Sequence, residues 1–197
     1  MANNSYMTLS GVNSGLMSAG CSTPDSMGNK CQAAHIDEIM VLSVDHSLLS
    51  GNTTSEFGSN ARHAPVVITK YIDKSSPLLA KALDDGEYVK CVIHLYRASA
   101  TVGEEKYYKI ELREARIAHI TLSVPPATSR GDSQPVEIVS IRYGDIILEL
   151  IAARTRLWLN PCNVADTVMI TNGTPSTACT TINEKKLLPR PNGAKNR

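Results

Sequence analysis

The chain has 197 residues, 42% hydrophobic and 20% charged, which suits one folded domain of ordinary size rather than a disordered segment. Lys and Arg number 20 against 19 Asp and Glu, and a net charge of +1 gives no reason to expect nucleic acid or an anionic membrane as partner. No apolar run approaches the roughly 20 residues that span a bilayer, so membrane insertion is not expected. Met1-Ala2-Asn3-Asn4-Ser5 also lacks the basic and apolar regions of a secretory signal.

Along the chain, the first strands are expected at residues 6–10 and 36–48, separated by a Gly-, Ser- and Met-rich irregular stretch at 11–30. Residues 50–60 are polar except for Phe57, the only Phe, and loops of this length in a compact domain usually carry function. Thr53, Thr54, Ser55, Glu56 and Phe57 are therefore candidates for contact with a neighbouring molecule. A strand at 65–72 leads into a helix that Ser75 or Ser76 can cap, Pro77 can start and Gly86 can stop. Its Leu79, Ala82 and Leu83 form an i, i+3, i+4 stripe able to close one side of a barrel. Residues 88–96 set Val89, Cys91, Ile93 and Leu95 on one face, with Lys90 and His94 on a solvated one. Residues 107–113 and 118–124 repeat that alternation, the second with His119 on its polar face. The last strand, 136–150, is long enough to break near Gly144-Asp145. Many strands, one short helix and no βαβ alternation predict a mainly β fold, a barrel or sandwich.

The end of the chain changes character. Residues 152–197 hold seven basic side chains against Asp166 and Glu184, a net of +5, with Trp158 their only aromatic. A weak strand at 167–171 and a disordered final dozen residues are expected. The chain divides on this reading into a barrel domain at 1–151 and a basic, polar, partly disordered extension at 152–197.

Little in the sequence speaks of catalysis. The five cysteines are odd in number and show no metal-ligand spacing, as in a protein made in a reducing cytosol; nothing in the sequence supports a Cys21–Cys31 bridge. The five histidines show no ligand pattern, so no metal site is expected. No nucleophile elbow, phosphate loop or dinucleotide fingerprint is present, and Asp37 and Glu38 would point to opposite faces of a strand. Arg130-Gly131-Asp132 reads as turn chemistry, and the sequons at Asn52 and Asn172 are formal only. The expectation is no enzyme and no cofactor.

The most specific segment runs Thr69-Lys70-Tyr71-Ile72-Asp73-Lys74-Ser75-Ser76-Pro77-Leu78-Leu79. His35-Ile36-Asp37-Glu38-Ile39 precedes it; Tyr96-Arg97, Glu105-Lys106-Tyr107-Tyr108 and Glu137-Ile138-Val139-Ser140-Ile141-Arg142-Tyr143 follow. In this order, over residues 6–149, they resemble the Hcp (haemolysin co-regulated protein) family, the tube protein of bacterial type VI secretion systems. The family motif falls on Thr69, Lys70, Ile72, Asp73, Lys74, Ser75, Ser76 and Pro77. The resemblance implies a small β-barrel of two sheets with one flanking α-helix, assembled into hexameric rings that stack into a tube. It also implies sheath, spike and baseplate proteins as partners, with small secreted effectors carried in the lumen. Such a protein is made in the bacterial cytoplasm and leaves without a signal peptide. Where relatives close the last strand with a Trp-Glu-His-x-x-Ala-Gly-Thr-like run, this chain has Leu148-Glu149-Leu150-Ile151-Ala152-Ala153-Arg154-Thr155. An effector activity in the extension, or a monomeric barrel that merely binds, are the alternative readings.

Overall fold

A computed structural model describes residues 4–49, 61–99, 103–126, 134–160 and 167–170. The strands are β1 Ser5–Gly11, β2 Gly15–Leu16, β3 Ile39–Asp45, β4 Leu48–Leu49, β5 Arg62–His63 and β6 Val66–Tyr71. They continue as β7 Val89–Ser99, β8 Gly103–Ser123, β9 Val136–Arg142, β10 Asp145–Leu150, β11 Thr155–Leu159 and β12 Thr167–Ile170. The helices are α1 Pro24–Met27 and α2 Ser76–Asp84.

One strand makes the barrel possible. β8 is 21 residues long, and its two halves belong to different neighbours. Residues 103–115 pair with β7, while residues 116–123 pair with β9. Since β7, β1, β3, β6 and β9 are joined in that order, β8 closes the sheet on itself. Closure removes most of the free edges that an open sheet would present. The strand changes neighbour beside Glu114, whose φ of 47° is the left-handed backbone of a bulge. Residues 107–113 and 118–124, expected as two strands, are thus one, and the barrel is a single rolled sheet with β4–β5 as a separate two-stranded piece.

Alternation then fills the interior. Met7 and Leu9 of β1, Val66 and Ile68 of β6, Cys91 and Ile93 of β7, Ile110 and Leu112 of β8, and Val139 and Ile141 of β9 point inward and are buried. Each such aliphatic side chain stabilises the fold by about 1.5–3 kcal/mol relative to exposure. Helix α2 starts after Ser75, with Pro77 in its first turn, and lays Leu79 and Ala82 on this core; Gly86 beyond its end has φ 61°. Leu83, expected in the same stripe, stays 37% exposed.

Several segments differ from the sequence reading. The strand expected at 36–48 is confined to Ile39–Asp45, because residues 33–38 form a 3-10 turn and bend that place His35 against the barrel. His35 stacks on Tyr6 with ring centroids 3.6 Å apart, and Tyr96 meets both edge-on. Tyr6, on the outer face of β1, is thereby only 1% exposed. His94, its cross-strand partner, is half-buried rather than solvated, with Nδ1 buried and unpartnered; burial, then Lys106, lowers its pKa. The stretch 11–30 contains β2, α1 and a further 3-10 turn. Nor does the sheet stop at residue 151. A turn at 151–154, with Arg154 at φ 53°, returns the chain as β11 along β10, and Leu159 joins the core. Residues 53–57, the Arg130–Asp132 tripeptide and both sequons lie outside the described residues. Cys21, Cys31 and Cys91 are free thiols.

Candidate functional site

Residues 69–77 fold into a buried ionic corner. Alternation along β6 puts Val66, Ile68 and Lys70 on the inward face, and along β9 it does the same for Glu137, Val139 and Ile141. The register sets Lys70 directly opposite Glu137. A full positive charge is therefore carried into the barrel, where Lys70 is 0% exposed. Its Nζ lies 2.9 Å from Glu137 Oε2 and 3.0 Å from Asp73 Oδ1. It also donates to the Tyr71 carbonyl at 2.8 Å and to Ser76 Oγ at 3.1 Å. A buried cation needs such partners, since its desolvation is otherwise prohibitive.

The serines complete the corner between β6 and α2. Ser75 donates to Asp73 Oδ1 from its backbone N–H at 2.8 Å and from Oγ at 2.5 Å. Ser76 Oγ donates to Glu137 Oε2 at 2.6 Å and accepts from the Asp73 N–H at 3.2 Å. Asp73 Oδ2 is buried without a hydrogen-bond partner. Asp73 also acts on Cys21, whose buried thiol is pushed up to about 11 by burial and by the Asp73 charge and is therefore inert at neutral pH. Lys74 is exposed, its backbone N–H donating to Ser26 Oγ at 2.9 Å, which ties α1 to the corner. Thr69 is half-buried, and Ile72 and Pro77 are exposed. Four of the eight motif residues, Lys70, Asp73, Ser75 and Ser76, thus converge; Glu137 is the member the motif did not include. Its signal was a carboxylate on the apolar face of its strand.

The corner positions a surface. Leu122 is cross-strand to Glu137, so the end of β8 runs beside the strand that carries one of the buried charges. Leu122, Val124 and Ile72 are 56%, 63% and 45% exposed at this end of the barrel. Along residues 116–123, β8 pairs with β9 on one edge; among the described residues no strand occupies the other, and helix α2 packs against β8. An apolar rim beside an open strand edge is a surface suited to another protein chain.

The outer wall is ionic. Glu111, on the outward face of β8, is held between Lys109 and Arg113, each 2.8 Å away, with Lys90 at 3.6 Å. Burial alone would raise its pKa, but the bonds and charges of Lys109 and Arg113 outweigh that and hold it at about 2. No three His, Cys, Asp or Glu side chains cluster as metal ligands among the described residues.

The comparisons with known proteins agree with one another. Residues 6–149 match the family model described as "Type VI secretion system effector, Hcp". The chain is similar to the major exported protein of Pseudomonas aeruginosa, at 42% identity over 127 residues, covering 61% of this chain and 72% of that one. It also resembles the protein YhhZ of Escherichia coli, at 30% identity over 79% of this chain but only 37% of that longer protein. Among solved structures, an Hcp protein superposes with a TM-score of 0.76 at 29% identity, covering 82% of this chain and 99% of that chain. Secreted protein Hcp3 from Pseudomonas aeruginosa does so with a TM-score of 0.70 at 34% identity, covering 81% and 98%. The family model and these relatives lead to one conclusion: this chain belongs to the Hcp family of type VI secretion proteins.

Proposed function

We propose that the protein is the repeating subunit of the type VI inner tube, acting without catalytic turnover. Copies close into a hexameric ring, rings stack, and the tube is exported through the sheath and baseplate, tipped by the spike and carrying small effectors in its lumen. The observation that supports ring closure is the exposed apolar rim of Leu122, Val124 and Ile72 at the end of β8, where one edge of the strand has no strand partner among the described residues. In the proposed ring this patch meets a different patch on the next copy, a heterologous contact that closes into a ring when the rotation between copies divides the full circle. The polar loop at residues 50–60 is proposed as the contact between stacked rings. The test is negative-stain microscopy with light scattering on the purified protein and on Leu122→Asp. Rings are expected for the unaltered chain and their loss, without a lowered melting temperature, for the variant. Monomers alone at high micromolar concentration overturn the proposal.

A further inference from the structure

Outside the corner and the rim, two arginines stand side by side with no anion to neutralise them. Arg116 of β8 and Arg142 of β9 are directly opposite in the register, and the next opposed pair, Ile117 and Ile141, is buried inward. Both arginines therefore point out of the barrel on one face, and both are exposed. Like charges directly opposite one another in a sheet repel. Among the described residues neither guanidinium has an ion-pair or hydrogen-bond partner. Arg116 lies over the Tyr88 ring, 3.9 Å from its centroid, a contact that orients the guanidinium and leaves its charge in place.

The pair faces a trough. Arg116 and Arg142 line a hollow of about 510 Å³ together with Tyr88, Tyr143 and Glu114. Glu114 supplies the only carboxylate of that lining, and its Oε2 is turned to Gly144, 3.0 Å from where a Cβ on that residue would stand. A second hollow of about 260 Å³, lined also by His63, Ala64 and Pro65, adjoins the first across Arg142 and Tyr143. Tyr143 is braced between them, its Oη hydrogen-bonded to His46 Nε2 at 2.7 Å and to His63 Nδ1 at 3.1 Å.

We propose that Arg116 and Arg142 form a carboxylate-binding site for a short acidic segment of another protein, laid along this trough. A guanidinium grips a carboxylate through two parallel N–H bonds, a match no other cationic side chain offers. Two of them about 5 Å apart at Cβ can take acidic side chains presented together. The charge is local, since the whole chain carries only +1, and the Tyr88 ring already carries Arg116. A nucleic acid would find neither an extended basic field nor a free aromatic platform. The site is distinct from the rim, because Leu122 lies about 20 Å further along β8 than Arg116. It does not depend on ring closure.

The test is fluorescence anisotropy of a labelled hexaglutamate peptide with the full-length protein at low ionic strength, where such contacts are least screened. Binding is expected, weakened about tenfold by Arg116→Gln or Arg142→Gln. Lys106→Gln, which removes an equal charge from an exposed position of the same strand, is expected to leave it unchanged. Glu114→Gln is expected to tighten it, since a repelling carboxylate leaves the wall. Arg142→Gln is expected not to lower the melting temperature, because it relieves a like-charge pair; a fall would make the arginine structural and overturn the proposal. An unaltered protein that binds no peptide overturns it, as does an equal loss in Lys106→Gln, which would reduce the attraction to net charge. An oligonucleotide of equal charge that binds more tightly, or inorganic phosphate that binds as tightly, overturns it also, giving the face to nucleic acid or to a free anion.

Discussion

Lys70→Met isolates the energetics of the buried corner. The substitution removes a cation that is 0% exposed and leaves two carboxylates behind, Asp73 and Glu137, with side-chain exposures of 1% and 11%. Methionine nearly matches the aliphatic stem in volume, so cavity formation adds little and the change is mainly electrostatic. Removing one partner of a buried ion pair costs about 3–5 kcal/mol, and here a single lysine serves two acids. The Asp73 and Glu137 carboxylates would then share the corner with no cation and with Ser75 and Ser76 as their remaining side-chain donors. Against a total stability of roughly 5–15 kcal/mol, this is a large fraction. At about 2–4 °C per kcal/mol for a domain of this size, the melting temperature falls by about 6–20 °C. Urea and thermal melts followed by circular dichroism measure it. Glu137→Gln in the Lys70→Met background removes one orphaned charge and is expected to recover part of the loss, a coupling of about 0.5–3 kcal/mol. A loss below about 1 kcal/mol for Lys70→Met, or strict additivity of the two substitutions, would refute the reasoning.

Two further predictions follow from the outer wall and the β1–β2 turn. Glu111 is held at about 2 against an ordinary 4.5, so its contribution to stability is complete above pH 4.5 and is lost as pH falls towards 2. Glu111→Gln should therefore flatten the acid limb of a stability-against-pH curve and leave its slope above pH 6 unchanged, and an unchanged acid limb sinks this assignment. At Gly11, an added Cβ would stand 2.3 Å from Glu87 Oε1, which accepts from the Asn13 N–H at 2.6 Å and the Ser14 N–H at 2.8 Å. Gly11→Ala should lower the melting temperature, yet add little to Glu87→Ala, because the second substitution removes the clashing atoms; additive losses would place the strain elsewhere.

Much of the architecture follows from local pattern. Period-two alternation determined where most strands lie and which side chains face inward, because a pleated strand gives successive residues opposite faces whatever surrounds it. The Ser-Ser-Pro start and Gly86 stop of α2 are equally local, as is the break at Gly144. The same alternation already put Lys70 and Glu137 on apolar faces, although their partnership depends on register between segments 67 residues apart. Pairings across that distance are set by closure of the whole barrel, which no window of sequence contains. Only the tertiary structure made residues 107–123 one strand, since serving two neighbours is a property of the closed sheet and not of β8. It alone brought His35 onto Tyr6, burying a residue on an outward face. And it alone gathered His46, His63 and Tyr143 into one hydrogen-bonded cluster, three residues whose spacing along the chain matches no motif, because their two loops and strand end meet only in the folded barrel.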